Sequence, residues 1–136
     1  MRRYKNILKK KKNPYKKYKI KTSKLESRFA VMLRQWGIKY DRQFKIDSKY
    51  YDFYLPKYDL VIEVMGDYYH GNTKFYESKD LSTMQFKNKI NDIYKKNLAI
   101  SRGHSYIDLW EWKINKCPDM VKTKLFKKIQ LITEGK

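Results

Sequence analysis

Asp52 and Glu63 are the residues from which chemistry can first be argued. They flank the turn Pro56-Lys57-Tyr58-Asp59. If the apolar runs on either side pair as a symmetric hairpin, Leu55 faces Leu60, Phe53 faces Ile62 and Asp52 faces Glu63. Directly opposed residues hold their Cβ atoms roughly 4.5–5.5 Å apart, and like charges at that spacing repel. Burial makes the repulsion worse. Such a pair is tolerable if one group is protonated or if a cation sits between them. A divalent metal bound by two carboxylates meets that demand. Two other readings compete: Glu63 pairs with one of the many lysines, or a one-residue bulge in the turn undoes the register.

Position adds to the case for a sheltered site. Leu60-Val61-Ile62-Glu63-Val64-Met65 reads as a strand, in which alternation puts Glu63 on one face with Val61 and Met65. Gly66 then permits a change of direction. Asp67, Tyr68, Tyr69 and His70 fall just past the strand end, where such a site would open to substrate. Glu26 is a further candidate. Ser23-Lys24-Leu25-Glu26 fits a capping box, a role sufficient in itself. Its helix must nevertheless pack on the sheet, and from the first turn the carboxylate can reach the same site.

The elements that must position these residues follow from the pattern. Leu25, Phe29, Met32, Leu33 and Trp36 recur at helical spacing before Gly37, predicting a helix over 24–36. Strands are expected over 40–46, 50–55 and 60–65, with turns at 47–49 and 56–59. Leu81, Met84, Ile90, Ile93, Tyr94 and Leu98 predict a helix from about 79 to 102, closed by Gly103. Tyr106 to Trp110 is a fourth strand, and Pro118 starts a last helix. The order is α-β-β-β-α-β-α: a single α/β domain with a central mixed sheet flanked by helices.

Composition narrows the partners. The chain has 136 residues and a net charge of +19. Residues 1–24 hold 12 Lys or Arg and no acid; the remainder carries +7. A charge this large points to a polyanion, most often nucleic acid, against the alternative of a lysine-rich solvated surface. Tyr4, Tyr15 and Tyr18 interleave with the lysines, which suits base stacking beside phosphate contacts. Residues 1–21 therefore read as a flexible nucleic-acid-binding arm, with Arg2, Arg3, Lys10, Lys11, Lys16 and Lys17 as phosphate contacts, and 22–136 as the catalytic domain. One cysteine and two histidines exclude an internal disulfide and a conventional zinc finger. No apolar run is long enough to span a membrane, and no h-region follows the basic N-terminus. The expectation is a protein of a reducing compartment, not secreted.

The run Asp52-Phe53-Tyr54-Leu55-Pro56, followed by Val61-Ile62-Glu63-Val64-Met65-Gly66-Asp67-Tyr68-Tyr69-His70, resembles the restriction-endonuclease-like PD-(D/E)XK superfamily. More narrowly, it is similar to very-short-patch-repair endonucleases and the phage homing endonucleases related to them. The later segments Asp92 to Lys96, Gly103-His104 and Leu109-Trp110-Glu111 extend the resemblance, which covers roughly 22–115. It implies metal-dependent hydrolysis of double-stranded DNA in a bacterial or phage-infected cell. It implies a Mg²⁺ ion, replaceable by Mn²⁺, held by Asp52, Glu63 and the carbonyl of Val64. His70 would be the general base, and Glu26 the helix acid that ligates through water or orients the nucleophile. Tyr68 and Tyr69 would wedge into the base stack, their alternative being ordinary packing. Lys96 could stabilise the phosphate, although Asp92 and Lys96 are more simply an i,i+4 surface ion pair.

Two departures stand out. Met65 occupies the position where classical superfamily members carry lysine, so another residue must take that role or the site is weakened. The cysteines of a repair-type structural zinc site are absent. Rival readings are a non-catalytic nucleic-acid-binding module, an accessory subunit on a nuclease scaffold and an RNA-directed nuclease. No specificity module is evident, so recognition would come from elsewhere or from a homodimer.

Overall fold

The computed structural model describes residues 23–135; the basic arm and its six expected phosphate contacts lie outside the described residues. Four helices and four strands follow in the order α1 (Lys24–Gln35), β1 (Asp41–Ile46), β2 (Lys49–Leu55), β3 (Leu60–Met65), α2 (Thr83–Ser101), β4 (Ser105–Trp110), α3 (Glu111–Lys116) and α4 (Pro118–Glu134). The sheet order is β1-β2-β3-β4. The first three strands are antiparallel, and β4 runs parallel to β3. A parallel neighbour requires a crossover, and the segment carrying α2 supplies it. This is the expected mixed α/β sheet flanked by helices, with one short helix added after β4.

Local chemistry explains most boundaries. Ser23 Oγ accepts the Glu26 N–H at 3.1 Å and starts α1. Only that half of the expected capping box forms, because the Glu26 carboxylate is engaged elsewhere. Gly37, at φ 73°, closes the helix in the left-handed region. Helix α2 begins at Thr83 rather than near Lys79, because Ser82 and Gln85 form a full capping box; Ser78–Asp80 is a separate 3₁₀ turn.

Two apolar layers cover the sheet. On one side Phe29 and Leu33 of α1 pack with Phe53, Leu55, Leu60, Ile62, Leu109, Val121 and Leu125. Each fully buried side chain of this size contributes roughly 1.5–3 kcal/mol. The other side is thinner: Ile46, Tyr51, Val61 and Tyr106 meet only Ala99 and part of Leu98 from α2. Of the apolar residues that predicted α2, only Leu98 packs on the sheet. Met84, Ile90, Ile93 and Tyr94 are exposed, Ile93 by 62%. Polar residues point inward instead. Among the described residues no helix is long and apolar enough to cross a membrane.

Candidate active site

Strand β2 has two neighbours, and both ladders lapse at Asp52. Toward β3 the pairs Leu55–Leu60, Tyr54–Val61 and Phe53–Ile62 follow the hairpin register expected from the turn. The next rung would set Asp52 against Glu63. In its place the Asp52 N–H donates to Glu63 Oε2 at 2.9 Å, and the Val64 N–H donates to Asp52 Oδ2 at 2.9 Å. Toward β1, pairing skips from Phe44–Tyr51 to Arg42–Phe53. The skipped residue, Gln43, has φ 53°, uncommon for a residue with a Cβ. Its side-chain amide donates to Glu26 Oε1 at 3.1 Å, and Arg42 donates to the same oxygen at 3.2 Å. Both strands thus surrender ladder bonds so that side chains can gather at Asp52.

Three carboxyls meet there. Glu26 and Asp52 line the same cleft, and Glu26 raises the cost of ionising Asp52, which a proton or a cation between them would relieve. Burial pushes the Asp52 carboxyl well above the usual range; Glu63 and Glu26 push it further, while the Val64 N–H and Lys95 oppose. Burial also raises Glu26, against the Arg42 guanidinium. Glu63 is only 4% exposed. Its Oε1 lies 2.5 Å from Lys95 Nζ, so the reading in which Glu63 pairs with a lysine is the one the structure has. Against the three acids stand two cations, Arg42 and Lys95, leaving one surplus negative charge. Among the described residues no group of three or more His, Cys, Asp or Glu forms a ready-made metal cage. The donor set suits the other arrangement, in which one or two carboxylates and several waters surround a Mg²⁺-like ion. Glu26 and Asp52, both in the cleft wall, are carboxyls that could share one.

The segment after β3 carries the second half of the site. His70 Nδ1 lies 2.7 Å from Asp92 Oδ2. The Asp67 N–H donates to Glu111 Oε1 at 2.9 Å, tying the loop to the end of β4. Gln85 Nε2 and Asn88 Nδ2 of α2 donate to the carbonyls of Tyr68 and Tyr69 at 2.5 and 2.7 Å. Both tyrosines remain outside the core, 53% and 61% exposed, and their rings meet each other edge-on at 5.2 Å. Gly66 does not use the left-handed region that favours glycine; Gly71, at φ 57°, does.

Glu26, Asp52, Glu63, Val64, Tyr69 and His70 line one cleft of about 450 Å³, joined by Asp92, Lys95 and Glu111. The structure therefore brings together the four expected catalytic residues. Lys96 is not among them: it faces solvent, and Asp92 pairs with His70 rather than with Lys96. Asp92 and Lys95 were missed as a pair on one helix face. Gln85, Asn88, Asp92 and Lys95 recur at spacings of three, four and three, a polar stripe legible in the sequence. His104 lies outside the cleft, 2.6 Å from Asp59 at the β2–β3 turn.

Neither a protein-family model nor a curated protein matches the chain. Among solved structures the chain is similar to the catalytic domain of the homing endonuclease I-Bth0305I. The two are 24% identical with a TM-score of 0.58, over 82% of this chain and 98% of that one. The likeness establishes the fold: a four-stranded mixed sheet with flanking helices, of the kind found in an endonuclease catalytic domain.

Proposed function

We propose that the chain is a divalent-metal-dependent endonuclease acting on double-stranded DNA. We place it in the PD-(D/E)XK superfamily, near very-short-patch-repair and homing endonucleases. The observation that carries the reading is the single cleft joining the Glu26–Asp52 carboxyl pair to a His70–Asp92 dyad. The structural neighbour, itself titled a homing endonuclease catalytic domain, supports it.

Glu26 and Asp52 would hold Mg²⁺, or Mn²⁺ in its place. The chemistry gained on binding such an ion is polarisation of a phosphate oxygen and a lower pKa for water. The chain's own residues do the rest. Asp92 accepts the His70 Nδ1–H and fixes the tautomer, leaving Nε2 as the accepting nitrogen. Water adds to phosphorus, its proton passes to Nε2, and the bond to the leaving sugar oxygen breaks as that oxygen takes a proton from solvent water to become a hydroxyl. Tyr68 and Tyr69 stack on bases beside the cleft. The basic residues of the arm add salt-sensitive affinity for phosphates. With one such cleft among the described residues, a homodimer would allow both strands to be cut.

The test is cleavage of supercoiled plasmid at low salt with Mg²⁺ or Mn²⁺, using EDTA and Asp52→Asn as controls. Metal-dependent nicking or linearisation by wild type alone supports the reading. Retention of DNA without cleavage by wild type refutes it and leaves a binding module.

A further inference from the structure

We propose that Lys95 is the phosphate-binding cation of the reaction, and that Glu63 anchors Lys95 instead of ligating metal. This rests on the nuclease reading above and divides its labour: Glu26 and Asp52 serve the metal, Glu63 and Lys95 serve the substrate.

The geometry assigns Lys95 in three ways. First, both Glu63 oxygens are committed, Oε1 to Lys95 Nζ at 2.5 Å and Oε2 to the Asp52 N–H at 2.9 Å. A carboxylate engaged at both oxygens, one of them by an ammonium, is a firm anchor for that cation. Second, Tyr51 holds Lys95 at two further points. Its ring centroid lies 4.7 Å from Nζ, and its hydroxyl donates to the Lys95 carbonyl at 2.8 Å. Tyr51 is itself fully buried, so the ammonium is clamped between a fixed ring and a fixed carboxylate. A long, rotamer-rich side chain is thereby ordered before any ligand arrives. Third, the cleft presents five carboxylates, Glu26, Asp52, Glu63, Asp92 and Glu111, yet must admit a phosphodiester anion. Lys95 lies in the cleft wall beside Asp52 and opposes that field from within. Met65, next but one to Glu63 on the same strand face, offers no charge. Helix α2 delivers the cation across the cleft, one turn beyond Asp92.

Two readouts on the full chain decide the matter: Mn²⁺ binding by calorimetry and plasmid cleavage at saturating Mg²⁺. Lys95→Met alone leaves a buried, unpaired Glu63 and endangers folding. The informative variant is therefore Glu63→Gln/Lys95→Met, which removes both charges together, with folding checked by circular dichroism. The expected result is unchanged Mn²⁺ affinity with cleavage slower by roughly 10²–10³, the usual cost of one lost transition-state contact. Asp52→Asn should lose Mn²⁺ binding. If the double variant loses Mn²⁺ affinity by about tenfold or more, Glu63 is a metal ligand and the division of labour is wrong. If it cleaves like wild type, Lys95 is a structural partner only. If wild type neither binds Mn²⁺ nor cuts, the nuclease reading falls and takes this proposal with it. In the other two failures wild type stays active and only this proposal is lost.

Discussion

Asp52 and Val64 are joined by a bond that a regular sheet would not contain: the Val64 N–H donates to the Asp52 carboxylate at 2.9 Å. With the Asp52 N–H given to Glu63, the two strands exchange side-chain bonds where ladder bonds would run. The carboxyl pair is thus held in place by the sheet's own backbone. Its repulsion is borne by the fold.

Neutralising that repulsion should stabilise the protein while ending its activity. In Asp52→Asn the amide oxygen still accepts the Val64 N–H, and the cost of ionising a buried acid beside Glu63 and Glu26 is gone. The expected gain is on the order of 1 kcal/mol, or roughly 3–6 °C in Tm for a domain of this size. A calorimetric scan without metal would show it. A lower Tm would mean that the carboxylate is favourably paired.

The same residue sets a pH dependence. Its folded pKa is raised by burial and by Glu63 and Glu26, so the native state holds a proton the unfolded chain has released. The stabilising protonation is fully present below the unfolded value of about 4 and is lost as pH rises toward the folded value. Metal-free protein should therefore melt lower as pH rises through that window, and Asp52→Asn should flatten the trend. Denaturation curves across the acidic range measure both slopes.

His70 and Asp92 form a dyad whose members fail differently. His70→Ala should lower cleavage by about 10²–10⁴, with partial recovery on adding free imidazole. Asp92→Asn should also slow cleavage, because an amide no longer enforces the Nδ1–H tautomer. DNA affinity, read by fluorescence anisotropy, should hardly change in either.

Gly71 and Gly66 flank the same four residues but differ in tolerance. A Cβ at Gly71 would meet Leu81 Cδ2 at 2.7 Å and Lys89 Cε at 3.2 Å, at φ 57°. Gly71→Ala should cost about 1–2 kcal/mol, since strain adds to the clash. A Cβ at Gly66 meets its nearest atoms at 3.6 and 3.8 Å, ordinary contact. Gly66→Ala should be close to neutral in thermal denaturation.

Tyr68 and Tyr69 are free of core packing, so their loss should spare stability and affect DNA. Tyr68→Ala/Tyr69→Ala should stay within about 0.5 kcal/mol of wild type in folding. Its DNA affinity should fall by roughly 1–3 kcal/mol per lost stacking contact. Anisotropy titrations at fixed salt give the comparison.

Strand β3 was legible to the residue, because six consecutive strand-type residues ended at a turn on one side and a glycine on the other. The hairpin register was legible for the same reason over Leu55–Leu60, Tyr54–Val61 and Phe53–Ile62; the lapse of the next rung, Asp52 against Glu63, was not. Helix α3 was not: it has six residues, follows β4 directly and starts at Trp110 without a side-chain cap. The face of α2 was misread because periodicity locates a stripe but does not say which stripe is buried. The expected phosphate lysine, Lys96, was named for its place one turn beyond Asp92, and its neighbour Lys95 is the one that meets Glu63. One residue is about 100° of helix rotation, which sends Lys96 to solvent and Lys95 to Glu63. Glu26 illustrates the opposite case: a capping role was sufficient in itself, yet its place on the first turn of α1 already put it within reach of the cleft it lines.

Helix α2 fully buries just Gln85 and Ala99, yet it carries both Asp92 and Lys95. Its attachment is mostly polar, through Tyr68, Tyr69, His70, Glu63 and Tyr51. An element held that way is the one expected to open before the rest of the molecule. Amide protons of α2 should exchange with deuterium sooner than those of β2 and β3, and added salt should speed that exchange. Warming would then abolish cleavage reversibly at temperatures where the sheet and α1 remain intact.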